Sequence, residues 1–184
     1  MAQSPLVHRG KRNQSIKVLS LFSGCGGMDI GLEGGFTCLK RSINTDMHPH
    51  WIAKDFGEWV RVVATGFETV FANDIRPHAK AAWVSYFKRK YKNPDNIYHL
   101  ASIVDLVKRA KEGEKVFADN IDIVTGGFPC QDFSIAGKRL GFNSQKSHTG
   151  EKLEVDAPSI ENRGQLYMWM REVVTLTKPL MFVA

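Results

Sequence analysis

The sequence of 184 residues predicts an α/β fold, a parallel sheet with helices on both faces. Three observations carry that expectation. Short apolar runs alternate with stretches that read as helices, two of those runs end in glycine-rich turns, and no internal repeat or low-complexity tract interrupts the order. In parallel sheets of this kind ligands bind beyond the carboxyl ends of the strands, which is where both glycine-rich turns fall.

The elements follow in order. Residues 1–15 are polar and basic without periodicity, and are expected to form a loose arm. Ile16-Lys17-Val18-Leu19-Ser20-Leu21-Phe22 reads as a buried strand. It runs into the turn Ser23-Gly24-Cys25-Gly26-Gly27 and a helix beginning at Met28, closed by Gly34-Gly35. A second strand fits Thr69-Val70-Phe71-Ala72-Asn73, followed by Asp74 and a helix from Pro77 that stops before Asn93-Pro94. Ile97-Tyr98-His99 reads as a short third strand before a helix from Ile103 to Lys111, and Ile121-Asp122-Ile123-Val124-Thr125 as a fourth strand. Leu166 to Thr177 reads as a helix, and Leu180-Met181-Phe182-Val183 begins a fifth strand. Residues 37–66 are too long for a simple connection and are expected to be a partly helical insertion, while polar residues 138–163 read as a mobile surface loop.

Composition narrows the function. Hydrophobic residues make up 43% and charged residues 24%, which excludes collagen-like and mostly disordered chains. No stretch approaches the roughly 18 uninterrupted apolar residues of a membrane span. The N-terminus lacks the apolar core of a secretory signal, so a cytoplasmic protein is expected, with no membrane partner. Lys and Arg total 25 against 19 acidic residues, a net charge of +6 that favours a polyanionic partner, although basic enzymes without nucleic-acid substrates are common. Cys25, Cys38 and Cys130 form no CxxC pair, so neither a disulfide framework nor a zinc cage is expected.

Two turns hold the candidate chemistry. Phe22-Ser23-Gly24-Cys25-Gly26-Gly27 lets the backbone approach a ligand closely, but its spacing is neither the dinucleotide fingerprint nor a P-loop, and a purely structural turn reads the same way. Asp74 at the end of the second strand is placed to accept hydrogen bonds from ribose hydroxyls, or to cap the helix entered at Pro77, or both. Gly126-Gly127-Phe128-Pro129-Cys130-Gln131 sets a cysteine just past a buried strand. There Lys138, Arg139 and Arg163 are candidates to lower its pKa, while simple burial is the alternative for any free thiol. Asp46, His48 and His50 imitate a metal cluster but sit around Pro49 without a further ligand, so no metal is expected. Trp51, Trp59 and Trp83 are expected in the core, and Lys88-Arg89-Lys90 at a solvated helix end.

The runs VLSLFSGCGGMDIGLEGGF, GGFPCQDFSIAGKRLGF and ENRGQLYMWMREVVTLTKPLMFVA, in this order, closely resemble the cytosine-5 DNA methyltransferases across residues 16–184. The resemblance implies the Rossmann-like fold of S-adenosylmethionine (AdoMet)-dependent methyltransferases, here its first five or so strands. It implies AdoMet as cofactor, held by Phe22, Ser23, Gly24, Cys25, Gly26 and Gly27. Asp74 corresponds to the ribose acid and Ile75 to the residue beside the adenine. Ser102 and Ile103, and Phe128 and Pro129, correspond to further parts of the cofactor pocket. Cys130 corresponds to the nucleophile that adds to C6 of a cytosine flipped out of double-stranded DNA. Gln131, Ser134, Lys138 and Arg139 open the loop that closes over DNA, and Arg163 matches a residue near the flipped base.

The sequence departs from the family in three places. Ala101-Ser102-Ile103 stands where Gly-Asp-Ile is usual, so Ser102 replaces a carboxylate expected on the adenine amino group. The insertion at 37–66 and the long stretch 143–162 are atypical. The chain stops at Ala184, where the family continues with Glu-Asn-Val and then the target-recognition domain. A partial catalytic domain, inactive alone and completed by a C-terminal fragment or subunit, is therefore expected. Two other readings remain open at this point: an inactive or regulatory AdoMet-fold binding module, and a cytosine-5 methyltransferase acting on RNA. Restriction-modification systems of bacteria or phages are the family-level setting.

Overall fold

The computed structural model describes residues 15–128 and 165–184. Eight strands and four helices follow one another along these residues: β1 (Ile16–Leu21), α1 (Gly27–Glu33), β2 (Thr37–Leu39), β3 (Ile52–Asp55), β4 (Trp59–Val62), β5 (Phe67–Asp74), α2 (Pro77–Phe87), β6 (Tyr98–Leu100), α3 (Ile103–Lys111), β7 (Ile123–Gly126), α4 (Leu166–Thr177) and β8 (Met181–Val183).

Five strands form one sheet in the order β6-β5-β1-β7-β8, every neighbouring pair parallel. The chain starts at the centre, steps outward through β5 to β6, then returns to the other side of β1 for β7 and β8. That reversal beside β1 makes a topological switch point, the place where parallel α/β sheets open a crevice at their carboxyl ends.

Alternation along the strands divides the core between two faces. Leu19, Leu21 and Phe71 pack with α3 and α4 through Ile103, Val104, Leu106, Val107, Trp169, Met170 and Val173. On the other face Ala72 and Tyr98 pack with Trp83 and Phe87 of α2. Each helix shows why it forms. Pro77 opens α2 at a position where no N–H is needed, and its buried residues Ala79, Trp83 and Phe87 recur every fourth residue. Ser102 caps α3 by accepting the Val104 N–H, and Lys108, Arg109 and Lys111 occupy its last turn, where cations suit the helix dipole. In α4 the buried Leu166, Trp169, Met170 and Val173 follow the 3-4 spacing of one helical face.

The expected helices and the parallel sheet are all present. One expectation is corrected: residues 37–66 are not substantially helical. They form an antiparallel sheet of order β2-β4-β3, with only two single-turn 3-10 segments at Lys40–Ser42 and Pro49–Trp51. Alternation settles it, since Val60 of β4 is fully buried while Trp59 and Arg61 on either side point outward. Trp51 and Trp59 are therefore not core residues, being 44% and 49% exposed, whereas Trp83 is fully buried as expected. His48 stacks on Trp51 with ring centroids 4.1 Å apart.

Strand limits shift slightly. β5 extends through Asp74, and the fourth strand begins at Ile123 rather than Ile121 because the Asp122 carboxylate turns back to accept the Lys17 N–H at 2.9 Å. Residues 1–14, most of the expected arm, and 138–163, the expected surface loop, lie outside the described residues. No helix among the described residues is long and apolar enough to cross a membrane.

Candidate cofactor and active site

The glycine-rich turn leaves β1 at the switch point and is tied to its neighbours at nearly every residue. Phe22 is a non-glycine residue in left-handed conformation (φ 53°), and its N–H donates to Asn73 Oδ1 at 3.3 Å. The Ser23 N–H donates to the Asn73 carbonyl at 2.8 Å, and the Asn73 N–H returns a bond to Ser23 Oγ at 3.1 Å. Ser23 Oγ also donates to the Ser20 carbonyl at 2.9 Å. The hydroxyl of Ser23 is thus committed to the turn itself.

Gly24 is held at both of its polar atoms. Its N–H donates to Asp74 Oδ2 at 3.1 Å, and its carbonyl accepts from Tyr98 Oη at 2.9 Å. Its φ is +54°, and a Cβ built there would meet no atom within 4 Å. Gly26 is the opposite case. At φ +87° a Cβ would lie 2.6 Å from Trp83 Cδ1, so this glycine is required by packing. A Cβ on Gly24 or Gly27 would meet open space, whereas Gly26 packs against Trp83.

Asp74 bridges two segments. Oδ2 takes the Gly24 N–H, Oδ1 takes the Arg76 N–H at 3.0 Å, and the Asp74 carbonyl accepts the Ala101 N–H at 3.2 Å. A carboxylate offers about four acceptor positions, so each oxygen retains room for a hydroxyl donor. The free acceptor positions leave the ribose reading open, but the capping reading is corrected: α2 has Arg76 at its N-cap with no side-chain cap, and the Asp74 bond to the Arg76 N–H closes the turn ahead of the helix. Ile75, beside it, is 40% exposed. Ser102 is buried at 4% exposure with its Oγ committed to the α3 cap, and Ile103 behind it is a core residue. Cys25 is exposed and Cys38 partly so.

The second glycine-rich turn leaves the sheet next to the first, because Leu21 at the end of β1 pairs with Gly126 at the end of β7. Phe128 lies 6.3 Å from the Tyr167 ring and helps line a cavity of about 530 Å³ with Met170, Val174 and Phe182. Pro129, Cys130, Gln131, Ser134, Lys138, Arg139 and Arg163, the remaining sequence candidates, lie outside the described residues. Among the described residues no group of three or more His, Cys, Asp or Glu side chains is placed to hold a metal ion.

Three participants escaped the sequence reading as site residues: Asn73, Tyr98 and Asp29. Asn73 joins the turn to the α3 entrance, donating from Nδ2 to the Ala101 carbonyl at 3.0 Å. Asp29 is fully buried and accepts the Trp83 Nε1–H at 2.7 Å. Burial pushes its carboxyl above the usual range, against the lowering effects of the Ser20 hydroxyl and the Trp83 indole, with Glu33 adding a further rise. A polar residue inside an apolar strand run marked Asn73, and an acid in a helix packed on the sheet marked Asp29.

The parallel order and the tethered turn define the Rossmann-like fold of AdoMet-dependent methyltransferases. A profile of the C-5 cytosine-specific DNA methylases matches residues 60–184, and the chain belongs to that family. It is similar to the Type II methyltransferase M.Bsp6I of Bacillus sp. (strain RFL6), 29% identical over 133 residues, covering 72% of this chain and 28% of that protein. It is also similar to M.NgoFVII of Neisseria gonorrhoeae, 29% identical over 168 residues, covering 91% of this chain and 29% of the relative. M.BspRI of Lysinibacillus sphaericus is 33% identical over 130 residues, covering 70% and 27% of the two. The chain therefore spans under a third of the length of these relatives.

Proposed function

We propose that this chain is the cofactor-binding and cysteine-bearing portion of a DNA cytosine-5-methyltransferase. The observation that carries the reading is the Gly24 arrangement: an open left-handed glycine whose N–H is anchored on Asp74, at the carboxyl end of a parallel sheet, in a chain of the C-5 cytosine methylase family. These residues fit a nucleoside-bearing cofactor. The cleared face over Gly24 admits close approach, the free acceptor positions of Asp74 suit ribose hydroxyls, and exposed Ile75 offers an apolar surface to a base. AdoMet, when bound, supplies an electrophilic methyl group.

The chain's own part in the chemistry is to activate the base. Cytosine C5 is a poor nucleophile. Addition of the Cys130 thiolate to C6 moves electron density to C5 as N3 takes up a proton; C5 then takes the methyl group, and loss of the C5 proton followed by release of the N3 proton expels the thiolate and restores the ring. Cytosine must leave the duplex first, since stacking hides C6. Gln131, Ser134, Lys138 and Arg139 are assigned to DNA contact and Arg163 to the flipped base. The partner is double-stranded DNA and the setting cytoplasmic.

The test is methyl transfer from labelled AdoMet, with the chain co-expressed with a fragment carrying the later family motifs, offered duplex DNA and tRNA side by side. Transfer to cytosine in DNA is the expected result. Transfer to tRNA alone, or AdoMet binding with no transfer to either, overturns it.

A further inference from the structure

Beneath the glycine-rich turn lie three side chains that the proposed chemistry does not use. Tyr98 is 1% exposed, and Trp83 and Asp29 are fully buried. We propose that Tyr98, Trp83 and Asp29 are positioning residues for the cofactor turn, holding Gly24 and Gly26 in the left-handed conformation that keeps the face over Gly24 clear for a nucleoside-bearing ligand. The inference rests on the cofactor reading above.

Glycine adopts positive and negative φ with similar ease, so nothing in Gly24 or Gly26 alone selects the observed state. Selection comes from below. Tyr98 Oη donates to the Gly24 carbonyl while Asp74 takes the Gly24 N–H, and the two bonds together fix both dihedral angles of that residue. The phenol is a permanent donor, because burial first, then the nearby Asp74, Asp29 and Cys25, push its pKa well above the ordinary value.

Gly26 is selected sterically. The Trp83 ring fills the space a side chain would take, and the ring is itself fixed on several sides. It stacks on Phe87 at 4.1 Å between centroids, tilts against Tyr98 at 5.4 Å, and donates from Nε1 to Asp29 Oδ2 at 2.7 Å. Asp29 lies in α1, the helix that the turn itself begins, so turn, helix, carboxylate and indole close a ring of contacts around Gly26. Such preorganisation lowers the ordering cost that a ligand would otherwise meet on binding.

The experiment uses the whole chain, labelled with nitrogen-15, and reads two quantities. One is hydrogen exchange at the Gly24 and Gly26 amides without ligand; the other is the Kd for S-adenosylhomocysteine by calorimetry. Tyr98→Phe keeps the ring and removes the hydroxyl. It should speed Gly24 exchange and weaken binding, each by about tenfold, the scale of one lost hydrogen bond. Trp83→Phe should do the same through Gly26, while Asp29→Asn, which keeps an oxygen for Nε1–H, should leave both within about twofold. Val107→Ala, in the core of the opposite face, lowers Tm without touching the turn and should leave both quantities unchanged. The proposal falls if Tyr98→Phe and Trp83→Phe change exchange and affinity no more than Val107→Ala does at equal loss of Tm. Should Tyr98→Phe fail to fold, Trp83→Phe against Asp29→Asn decides. Should the unaltered chain bind no S-adenosylhomocysteine, the cofactor reading fails for this chain, and the exchange measurement alone still decides the positioning role.

Discussion

The two edges of the five-stranded sheet are finished differently. At the β6 edge Tyr98 is buried beneath the first glycine-rich turn, Trp83 and Phe87 of α2 pack against it, and only Leu100 of the strand protrudes. At the β8 edge Leu180, Met181, Phe182 and Val183 are 69%, 58%, 61% and 45% exposed, beside the cavity under Phe128 and Tyr167. Both edges belong to one sheet of uniform parallel order, so strand pairing does not explain the contrast. The half that frames the proposed cofactor site is internally satisfied. Among the described residues, the half that leads to the second glycine-rich turn presents apolar surface, of the kind proteins cover by pairing or association.

The sharpest test of that division is Cys130→Ala in the complemented enzyme. It should abolish methyl transfer while cofactor affinity stays within about twofold, as expected if chemistry and cofactor binding belong to different halves. Retained turnover removes the nucleophile assignment.

Smaller effects separate the two glycines of the closed half. Gly26→Ala should lower stability by about 1–3 kcal/mol, because its methyl meets the Trp83 ring. Gly24→Ala should cost only about 1 kcal/mol for its left-handed backbone, yet weaken cofactor binding more than its stability loss suggests, which calorimetry and thermal melts together will read. On the open side, Phe182→Lys should reduce self-association seen by sedimentation without lowering Tm, since the side chain is already exposed.

The smallest effect is electrostatic. Asp29 has a folded pKa above its unfolded value near 3.8, so its contribution is fully favourable only below that value. Stability is lost as pH rises through the raised folded pKa, because the unfolded chain releases the proton more readily. Asp29→Asn should therefore match the unaltered chain near pH 3 and exceed it in Tm at neutral pH. A constant difference across that range would count against burial as the cause.

The parallel fold was legible because its strands are buried on both faces and read as continuous apolar runs, as in Val18-Leu19-Ser20-Leu21. The position of the turn and of Asp74 was legible because glycines and an acid fall directly after apolar runs, at the carboxyl ends of β1 and β5. Residues 37–66 were misread because their strands are only three or four residues long, too short to show a period, and because an exposed Trp59 looks like a core residue when its neighbours are unknown. Trp83 reads as core packing and Tyr98 as part of a short strand, and both readings hold. That each also fixes a glycine depends on contacts between residues 74 and 57 positions apart, for Tyr98 with Gly24 and for Trp83 with Gly26, which no local pattern reports.

β1 is the first strand among the described residues and the centre of its sheet. Its partners are remote: Ser23 and Asn73 meet across 50 residues, and Lys17 and Asp122 across 105. High contact order of this kind makes for slow folding, since loop closure must precede any gain from pairing. During synthesis β1 leaves the ribosome with neither neighbour made, and it gains the second only after about a hundred further residues, roughly 5–20 s later at ordinary translation rates. Until then Val18, Leu19 and Leu21, which end buried, lack part of the cover they have in the finished fold. The same central placement that brings two glycine-rich turns side by side thus commits the nascent chain to a long wait with this strand half-covered.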